Sequence, residues 1–545
     1  MVKFASHRLI CPVMLSLVLA ACTQESDLLT SEGPLPSAAQ PASLAASGIR
    51  VAIYSGTGAE ASTTLALYRA IAAMGHLPMA ITKADIVAGR LARATFDVLV
   101  IPPGEDGKKC CAGKYADIDG LDQIATKNAI KAFLNSGGGV VTEEAGSFFA
   151  AQNGGTLDIY SGNYTNVTSQ IGKRSFAITD PLFGGGSQEA WHSYGGGYFP
   201  TPPANVSVIA VNNSKQAVIV KQAYGPGRLI LTSFVLELRG DTELDWTVWD
   251  NWAMGSTHTN SVGAWIMLGR MIGWAYNGDA SAPAINPAPN PTGARVAIVA
   301  QHTSDGGAWP GLLPAVARGI EYSGHIPLAI RFADIKGGRL TLANFKVVTF
   351  PGGYAYGYKT GLAGAEGLIR TFVSSGGSYY GICAGSFYAP STIVWDKHSY
   401  SYPLQLYAGQ DVGPINDIVA WPGYASAPIT YTDEAVIGNF GTVSVMYYGG
   451  GYHTIPTDGQ QGSHVFTAGL FAASSAAGKA NLVRYTYGSG RVALSTSHLE
   501  ALMGSNADWM FWDNYDYTSG AGFTDPGLPS WNVMRAVFNN WLTVP

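Results

Sequence analysis

One sequence pattern occurs twice along the chain, and this repeat constrains the fold more than any other feature. Motifs of the first half recur in the same order, at similar spacing, in the second half of the 545 residues. The clearest pairs are Arg50-Val51-Ala52-Ile53 with Arg295-Val296-Ala297-Ile298, Gly75-His76-Leu77-Pro78 with Gly324-His325-Ile326-Pro327, Ala145-Gly146-Ser147-Phe148 with Ala384-Gly385-Ser386-Phe387, and Gly195-Gly196-Gly197-Tyr198 with Gly449-Gly450-Gly451-Tyr452. We therefore predict tandem domains over residues 48–277 and 294–545, joined by a Pro- and Ala-rich linker over 278–293.

Each copy alternates short β-branched runs with stretches of helical apolar periodicity. Residues 296–299, 312–322 and 347–350 are one such series. This alternation predicts an α/β fold in which a mostly parallel sheet has helices on both faces. Ligands of such sheets bind at the carboxyl ends of the strands, so the loops after residues 350 and 382 are the expected location of a site.

The first residues have the layout of an export signal. Basic residues precede an apolar run over 9–19, which is too short to span a membrane. The run ends in Leu19-Ala20-Ala21-Cys22, which resembles a bacterial lipobox, so residues 1–22 are interpreted as a lipoprotein signal peptide with lipid on Cys22. An ordinary signal peptide cut after a small residue is the alternative. Residues 23–47 are rich in Ser, Ala and Pro and indicate a flexible tether.

Composition limits the partners. Apolar residues make up 47% of the chain, charged residues 13%, and the net charge is −5 with no basic block. Nucleic acid is therefore not expected as a partner, since phosphate binding requires clustered Lys and Arg. The adjacent Cys110 and Cys111 make a poor metal site, and we interpret them as two thiols of a loop without a function of its own. A strained vicinal disulfide is the alternative. We predict neither a metal nor a cofactor, and leave the oligomeric state open.

A thiol nucleophile is indicated in the second copy. An apolar strand leads into Gly381-Ile382-Cys383-Ala384-Gly385, and a helical pattern follows. This is the thiol version of a nucleophile elbow, in which the glycines allow strand and helix to approach closely around a sharp turn. The N-terminus of the helix adds partial positive charge, which favours a thiolate. A buried structural cysteine is the alternative.

A base and its orienting acid follow downstream. The strand over 492–497 ends in His498-Leu499-Glu500, and residues two apart at a strand end point the same way. His498 is therefore predicted to face Cys383 while Glu500 holds its other nitrogen. A surface pair is the default interpretation of this motif when it occurs alone.

Other residues are candidates for binding the substrate. Backbone N–H groups of Gly352, Gly353 and Ala384 are predicted to stabilise an oxyanion, although Pro351-Gly352-Gly353 is also compatible with a plain turn. Tyr354 and His453 are candidates for the wall of a pocket, with a packing role as the alternative.

The order Pro-Gly-Gly, Gly-x-Cys-x-Gly and His-x-Glu resembles the class I glutamine amidotransferase-like superfamily. The segment 381–389, with Tyr448-Gly449-Gly450-Gly451-Tyr452 downstream, is more similar to the N-terminal domain of biotin–protein ligases and its bacterial relatives. The resemblance covers residues 294–500 well and 50–240 more weakly. It implies tandem flavodoxin-like three-layer sandwiches and a Cys-His-Glu triad. It does not imply biotin ligation, which belongs to a different domain.

The first copy is predicted to be catalytically silent. Alignment places Glu144 opposite Cys383, Val235 opposite His498 and Glu237 opposite Glu500. This degenerate site has neither nucleophile nor base. A separate role for Glu143 and Glu144 as a carboxylate pair is the alternative.

The expected function is that of a lipid-anchored cell-envelope hydrolase. It would face the periplasm or lie at the outer membrane of a Gram-negative cell, and would act on an amide, peptide or related acyl substrate through a thioester. The alternative is a binding or scaffold lipoprotein in which the triad is idle. The sequence does not identify the substrate.

Overall fold

The computed structural model describes residues 48–56, 58–59, 61–104, 124–153, 157–167, 172–192, 196–237, 262–285, 293–303, 305–309, 312–457, 460–501 and 529–544. The predicted signal peptide with Cys22, the tether, the Cys110-Cys111 pair and part of the linker lie outside these residues. The domain boundaries therefore stay predictions.

Strands and short helices alternate in the first half. The strands are β1 (Arg50–Tyr54), β2 (Leu77–Ile81), β3 (Val98–Ile101), β4 (Gly139–Glu143), β5 (Thr165–Asn166), β6 (Gly172–Ile178), β7 (Gly186–His192), β8 (Gly197–Tyr198), β9 (Val206–Asn212), β10 (Ala217–Tyr224) and β11 (Gly227–Thr232). The helices are α1 (Ala61–Ala73), α2 (Lys83–Val87), α3 (Ile124–Asn135), α4 (Ala145–Ala150) and α5 (Val262–Asn277), with a 3-10 turn at Pro181–Phe183.

The second half repeats this series with a longer set of strands. They are β12 (Arg295–Val299), β13 (His302–Thr303), β14 (Gly306–Ala308), β15 (Ile326–Ile330), β16 (Val347–Phe350), β17 (Gly353–Tyr354), β18 (Ser378–Ile382), β19 (Thr392–Trp395), β20 (His398–Ser401), β21 (Asp411–Gly413), β22 (Tyr424–Asp433), β23 (Gly438–Tyr448), β24 (Tyr452–His453), β25 (Phe466–Phe471), β26 (Ala480–Tyr487) and β27 (Gly490–Ser495). The helices are α6 (Leu313–Tyr322), α7 (Phe332–Lys336), α8 (Ala355–Gly361), α9 (Glu366–Ser374), α10 (Ala384–Tyr388) and α11 (Pro529–Val537), followed by a π-helical turn at Phe538–Leu542.

Both halves are built on the same five-stranded parallel core. The strand order is β2-β1-β3-β4-β11 in the first half and β15-β12-β16-β18-β27 in the second. The chain pairs these strands in matching register, for example Arg50 with Leu77 and Arg295 with Ile326. The predicted parallel sheet is therefore confirmed, and β4 and β18 lie beside the last parallel strand of their sheet.

Each parallel core continues into a mostly antiparallel extension that the repeat pattern did not predict, with one parallel pair between β19 and β21. In the first sheet the order after β11 is β10-β9-β6-β7, and in the second sheet β26 leads to β24, β21, β19 and β20. A branch of β22, β23 and β25 joins the second sheet through β26. This extension carries the loop 448–452 to the carboxyl end of β18.

Burial shows that both faces of each core are covered. Every residue of β3, β4, β16 and β18 is buried, although successive side chains point to opposite faces. Helix α1 packs on β1 and β2, and α5 packs on β3, β4 and β11. The predicted flavodoxin-like three-layer sandwich is confirmed. Among the described residues, no helix is long and apolar enough to cross a bilayer.

The two halves contact each other through equivalent helices. Helix α1 packs against α6, which occupies the same place in the second half, and the Arg318 guanidinium lies 5.5 Å from the centre of the Tyr68 ring. Ala80 of the first half joins a small buried cluster with Leu312, Met446 and Ala501 of the second. The first half thus contributes an apolar contact close to His498, whose backbone N–H donates to Met446 O.

Candidate active site

Cys383 lies at a sharp turn between β18 and α10. Its backbone has φ 47° and ψ −106°, a conformation that side-chain-bearing residues rarely adopt and that costs about 1–3 kcal/mol. The turn is possible because neighbouring residues lack a Cβ. A Cβ on Gly385 would lie 2.0 Å from Phe350 O, and one on Gly381 would lie 2.7 Å from Gly385 O. The elbow geometry expected from the glycine spacing is thus present at this strand end.

Base and acid lie in the turn after β27, the neighbour of β18 in the sheet. His498 Nδ1 lies 2.8 Å from Glu500 Oε1, and both side chains are fully buried. Cys383 is 5% exposed, and its Sγ lies 3.6 Å from Tyr448 O. His498 Nε2 has no hydrogen-bond partner in the described part of the chain. Glu500 thus holds the imidazole through Nδ1, which leaves Nε2 for proton transfer.

Electrostatics favour a protonated imidazole. Burial by itself would lower the pKa of His498, but the negative charges of Glu500 and Cys383, with the hydrogen bond to Glu500, raise it to about 10. His498 is therefore positively charged at neutral pH. The ordinary pKa of histidine is 6.5, and below that pH the protonated imidazole contributes its full stabilisation to the fold. This contribution is lost as the pH rises through the folded-state pKa of about 10.

The Pro-Gly-Gly turn packs directly on the base. A Cβ on Gly352 would lie 2.2 Å from His498 Cε1, and Gly352 O accepts from Trp309 N. Gly353 has φ 146° and pairs with Ala308. Any side chain at 352 would collide with the imidazole, so the turn positions the base in addition to its predicted oxyanion role.

The remaining predicted residues lie at different depths. Ala384 begins α10 directly after Cys383 and is buried. The Tyr354 side chain is 42% exposed, beside the turn. His453 is buried with both ring nitrogens engaged, Nδ1 at 2.5 Å from Asp411 Oδ1 and Nε2 at 3.1 Å from Leu494 O. The sequence suggested that His453 contacts the substrate, whereas its ring nitrogens face Asp411 and Leu494.

Asp411 is a site-proximal residue that sequence reasoning missed. Its Oδ2 accepts from Ser386 Oγ at 2.6 Å and its Oδ1 faces His453. No local motif marks Asp411, because its partners come from other elements. The available signal was indirect, since His453 has Phe199 opposite it in the first half.

The first half has the same backbone around different side chains. Glu144 has φ 40° and ψ −103° at the start of α4, and its N–H donates to Thr232 O as Cys383 N donates to Ser495 O. Trp265 Nε1 donates to Glu237 O, matching Trp531 and Glu500 in the second half.

In the first half a carboxylate replaces the thiol and an apolar side chain replaces the base. Glu143, Glu144 and Glu237 are all at most 1% exposed. Burial raises the pKa of Glu143 to about 7, and burial with the neighbouring Glu143 charge raises the pKa of Glu237 well above its usual range. Val235, opposite His498, is buried and apolar. Within the described residues, no group of three or more His, Cys, Asp or Glu side chains is arranged to hold a metal ion.

The fold and this arrangement are similar to those of class I glutamine amidotransferase-like domains. Within that class, residues 342–513 match the family described as biotin-protein ligase, N terminal, so the resemblance expected from the motifs is confirmed for this segment. No match was found among curated proteins.

Several solved structures share part of the fold. PurLQS from Thermotoga maritima is 14% identical, with 41% of this chain and 99% of that chain covered and a TM-score of 0.29. A protein from Thermoplasma acidophilum assigned to GMP synthase is 12% identical over 41% and 93% of the two chains, with a TM-score of 0.28. A β-galactosidase from Rahnella sp. R3 is 11% identical over 43% and 32%, with a TM-score of 0.26. The fold assignment rests on the strand order rather than on these similarities.

Proposed function

We propose that the second half is a cysteine hydrolase that cleaves an amide, peptide or related acyl bond. The observation that carries the proposal is that Cys383 follows β18 while His498 and Glu500 follow β27, the parallel neighbour of β18. The thiol sits at a strained elbow, and the buried imidazole is held by a carboxylate while Nε2 has no partner among the described residues. This is the arrangement of nucleophile, base and orienting acid that acyl transfer requires.

The reaction follows from these three side chains. The Cys383 proton already resides on His498 at neutral pH, since the pKa of the imidazole is raised to about 10, and the thiolate attacks the acyl carbon to form a tetrahedral oxyanion. The imidazolium then gives its proton to the leaving amine, so that the C–N bond breaks and a thioester remains. Water attacks the thioester with His498 as base, which releases the acid and the thiol. The raised pKa of His498 suits the acid step, because the proton stays on the ring until the amine leaves.

The motif Leu19-Ala20-Ala21-Cys22 supports a location in the cell envelope, with a lipid on Cys22 as the membrane anchor. The substrate is then a small molecule or peptide-like component of the envelope.

The test is the rate at which iodoacetamide alkylates Cys383, resolved by peptide mass spectrometry. We expect alkylation far faster than that of free cysteine at neutral pH, and a reduction of about 100-fold in His498→Gln. Glu144→Cys is the matched control. It places a thiol at the same strained elbow of the first half, where Val235 stands in for the base, and it should react slowly.

Wild-type Cys383 that reacts no faster than free cysteine, or than the Glu144→Cys thiol, would contradict the proposal. A positive rate is followed by intact-protein mass spectrometry after incubation with envelope extract. An acyl adduct that is present in wild type and absent in Cys383→Ala identifies the substrate's acyl group.

A binding or scaffold protein is the second candidate, and one observation favours it. The thiol is only 5% exposed, and His498 and Glu500 are fully buried, so the described residues leave little room for a substrate. The first half also retains the fold without thiol or base. An unreactive Cys383, together with capture of the same envelope component by wild type and Cys383→Ala, would establish this alternative.

A further inference from the structure

A buried polar cluster lies behind the elbow of the second half. Asp411 Oδ2 accepts from Ser386 Oγ at 2.6 Å, and Asp411 Oδ1 lies 2.5 Å from His453 Nδ1. His453 Nε2 lies 3.1 Å from Leu494 O. A backbone carbonyl only accepts hydrogen bonds, so Nε2 carries a proton, and a second proton joins Nδ1 to the carboxylate. All polar atoms of the three side chains thus have partners.

This cluster connects the elements that carry nucleophile and base. Ser386 lies in the first turn of α10, three residues after Cys383, whereas Leu494 lies in β27, four residues before His498. Asp411 and His453 bridge them from the neighbouring strands β21 and β24. The bridge therefore spans from the helix behind the thiol to the strand that leads to the imidazole.

In the first half, different residues occupy the positions of Asp411 and His453. Thr165 pairs with Tyr198 there as Val412 pairs with Tyr452, which places Tyr164 opposite Asp411 and Phe199 opposite His453. The two rings form an edge-to-face pair with centroids 5.0 Å apart. The aromatic pair thus occupies the place of the polar one in the half that lacks both thiol and base.

Ser147, the counterpart of Ser386, also has different partners. Its hydroxyl lies 2.8 Å from Thr142 Oγ1 and donates to Thr232 O at 2.7 Å. Stability alone does not require the Asp411–His453 pair, because a well-packed apolar pair commonly stabilises a fold as much as a buried ion pair does. The difference between the halves calls for a role beyond stability.

We infer that Asp411, His453 and Ser386 are positioning residues that set the separation between the Cys383 thiol and His498. The inference rests on the proposed function. It assigns the cluster no contact with substrate. Its effect is transmitted through α10 and β27, where small displacements change the approach of Sγ to Nε2.

The test compares the bridge with its aromatic counterpart. The double variant Asp411→Tyr/His453→Phe installs the pair that the first half already accommodates. We expect both wild type and the double variant to unfold cooperatively on heating. Alkylation of Cys383 should slow by about tenfold or more, and its pH profile should move towards that of Glu144→Cys, because the thiol no longer meets the imidazole.

Asp411→Asn is the conservative variant. Neutral His453 would keep its proton on Nε2 for Leu494 O, while the Asn amide donates to Nδ1 and the Asn carbonyl accepts from Ser386. Every hydrogen bond of the bridge survives without charge, so we expect a rate and pH profile close to wild type. A loss as large as that of the double variant would overturn a positioning role.

If the double variant does not fold, the single substitution Ser386→Ala tests the same inference. Ser386→Ala removes one hydrogen bond and should slow alkylation by about fivefold. Ser147→Ala, the same change in the first half, should leave the rate unchanged. Equal rates in wild type, Ser386→Ala and a folded double variant would overturn the inference. An unreactive wild-type Cys383 instead contradicts the proposed function, and the inference falls with it.

Discussion

Buried carboxylates at the first-half elbow hold protons more tightly than ordinary glutamates. In an unfolded chain, Glu143 titrates near 4.5, whereas burial raises its pKa in the fold to about 7. Glu237 is shifted in the same direction, by burial first and by the Glu143 charge second. Between pH 4.5 and about 7 the folded chain therefore binds more protons than the unfolded chain. The free energy of unfolding falls as the pH rises through this range.

Glu237→Gln should therefore stabilise the protein at mildly alkaline pH. The substitution removes a buried carboxyl group that must take up a proton when the chain folds, and it leaves Glu143 a neutral hydrogen-bond donor. We expect a gain of about 2 kcal/mol in the free energy of unfolding at pH about 8, and a much smaller gain at pH about 5. Urea unfolding at the two pH values measures both.

Glu500→Gln is the matched change in the second half, and the opposite sign is expected there. Glu500 pairs with a protonated His498, so its loss leaves a buried cation without a counterion. Equal effects of the two substitutions, or a loss of stability in Glu237→Gln at alkaline pH, would contradict the assignment of charges.

At the scale of elements, sequence predicted what is local and missed what is assembled from distant segments. The parallel strands are short and almost entirely buried, and most of their residues are apolar. The glycines around Cys383 specify the elbow without reference to the rest of the chain. The extension gives weaker signals, because several of its strands, such as β9 and β20, are partly or fully exposed, and because the strand order depends on long-range pairing. Asp411 was missed for the same reason, since its partner His453 is 42 residues away.

The site itself was predicted to the extent that it consists of short motifs. Cys383 and the His498-x-Glu500 pair are adjacent in the sheet because β18 and β27 are neighbours. The role of Gly352 as a packing surface for the imidazole was not predictable, because it follows from a three-dimensional contact that a turn motif does not encode.

The elbow glycine is predicted to be a requirement of the fold in both halves. In Gly385→Ala the added Cβ would lie 2.0 Å from Phe350 O, and in Gly146→Ala it would lie 2.7 Å from Ile101 O. We expect both variants to lose stability, by about 3 kcal/mol in the first case and less in the second, since the collision is milder. Thermal unfolding measures the loss.

Iodoacetamide separates the two glycines by function. Gly385→Ala should also slow alkylation of Cys383, whereas Gly146→Ala should not. A folded Gly385→Ala protein of wild-type stability would show that the close strand–helix approach is not needed.

At the scale of the molecule, the halves are packed through related surfaces. Helices α1 and α6 occupy equivalent places and contact each other. The contact between Ala80 and the cluster beside His498 extends this packing to the site. The first half therefore supports the second mechanically, although its own thiol and base are missing.

Attachment to the membrane is the prediction that belongs to the whole chain. We expect wild-type protein to sediment with membranes and to incorporate labelled fatty acid. Cys22→Ala should abolish both, because the lipid-accepting sulfur is removed. Cys11→Ala is the matched control and should behave as wild type, since Cys11 lies within the predicted signal. Fatty-acid labelling that persists in Cys22→Ala would contradict the lipobox interpretation.

The elbow shared by the two halves has a consequence for protein engineering. A strained backbone turn is the part of an enzyme that single substitutions cannot easily install. The first half already has this turn, with Glu144 in the strained position and the Glu237 backbone carbonyl anchored by Trp265. Installing a second thiol centre would therefore require side-chain substitutions only, with no change of the backbone. The first half is an acceptor scaffold for directed evolution, and its neighbour in the same polypeptide is the reference design.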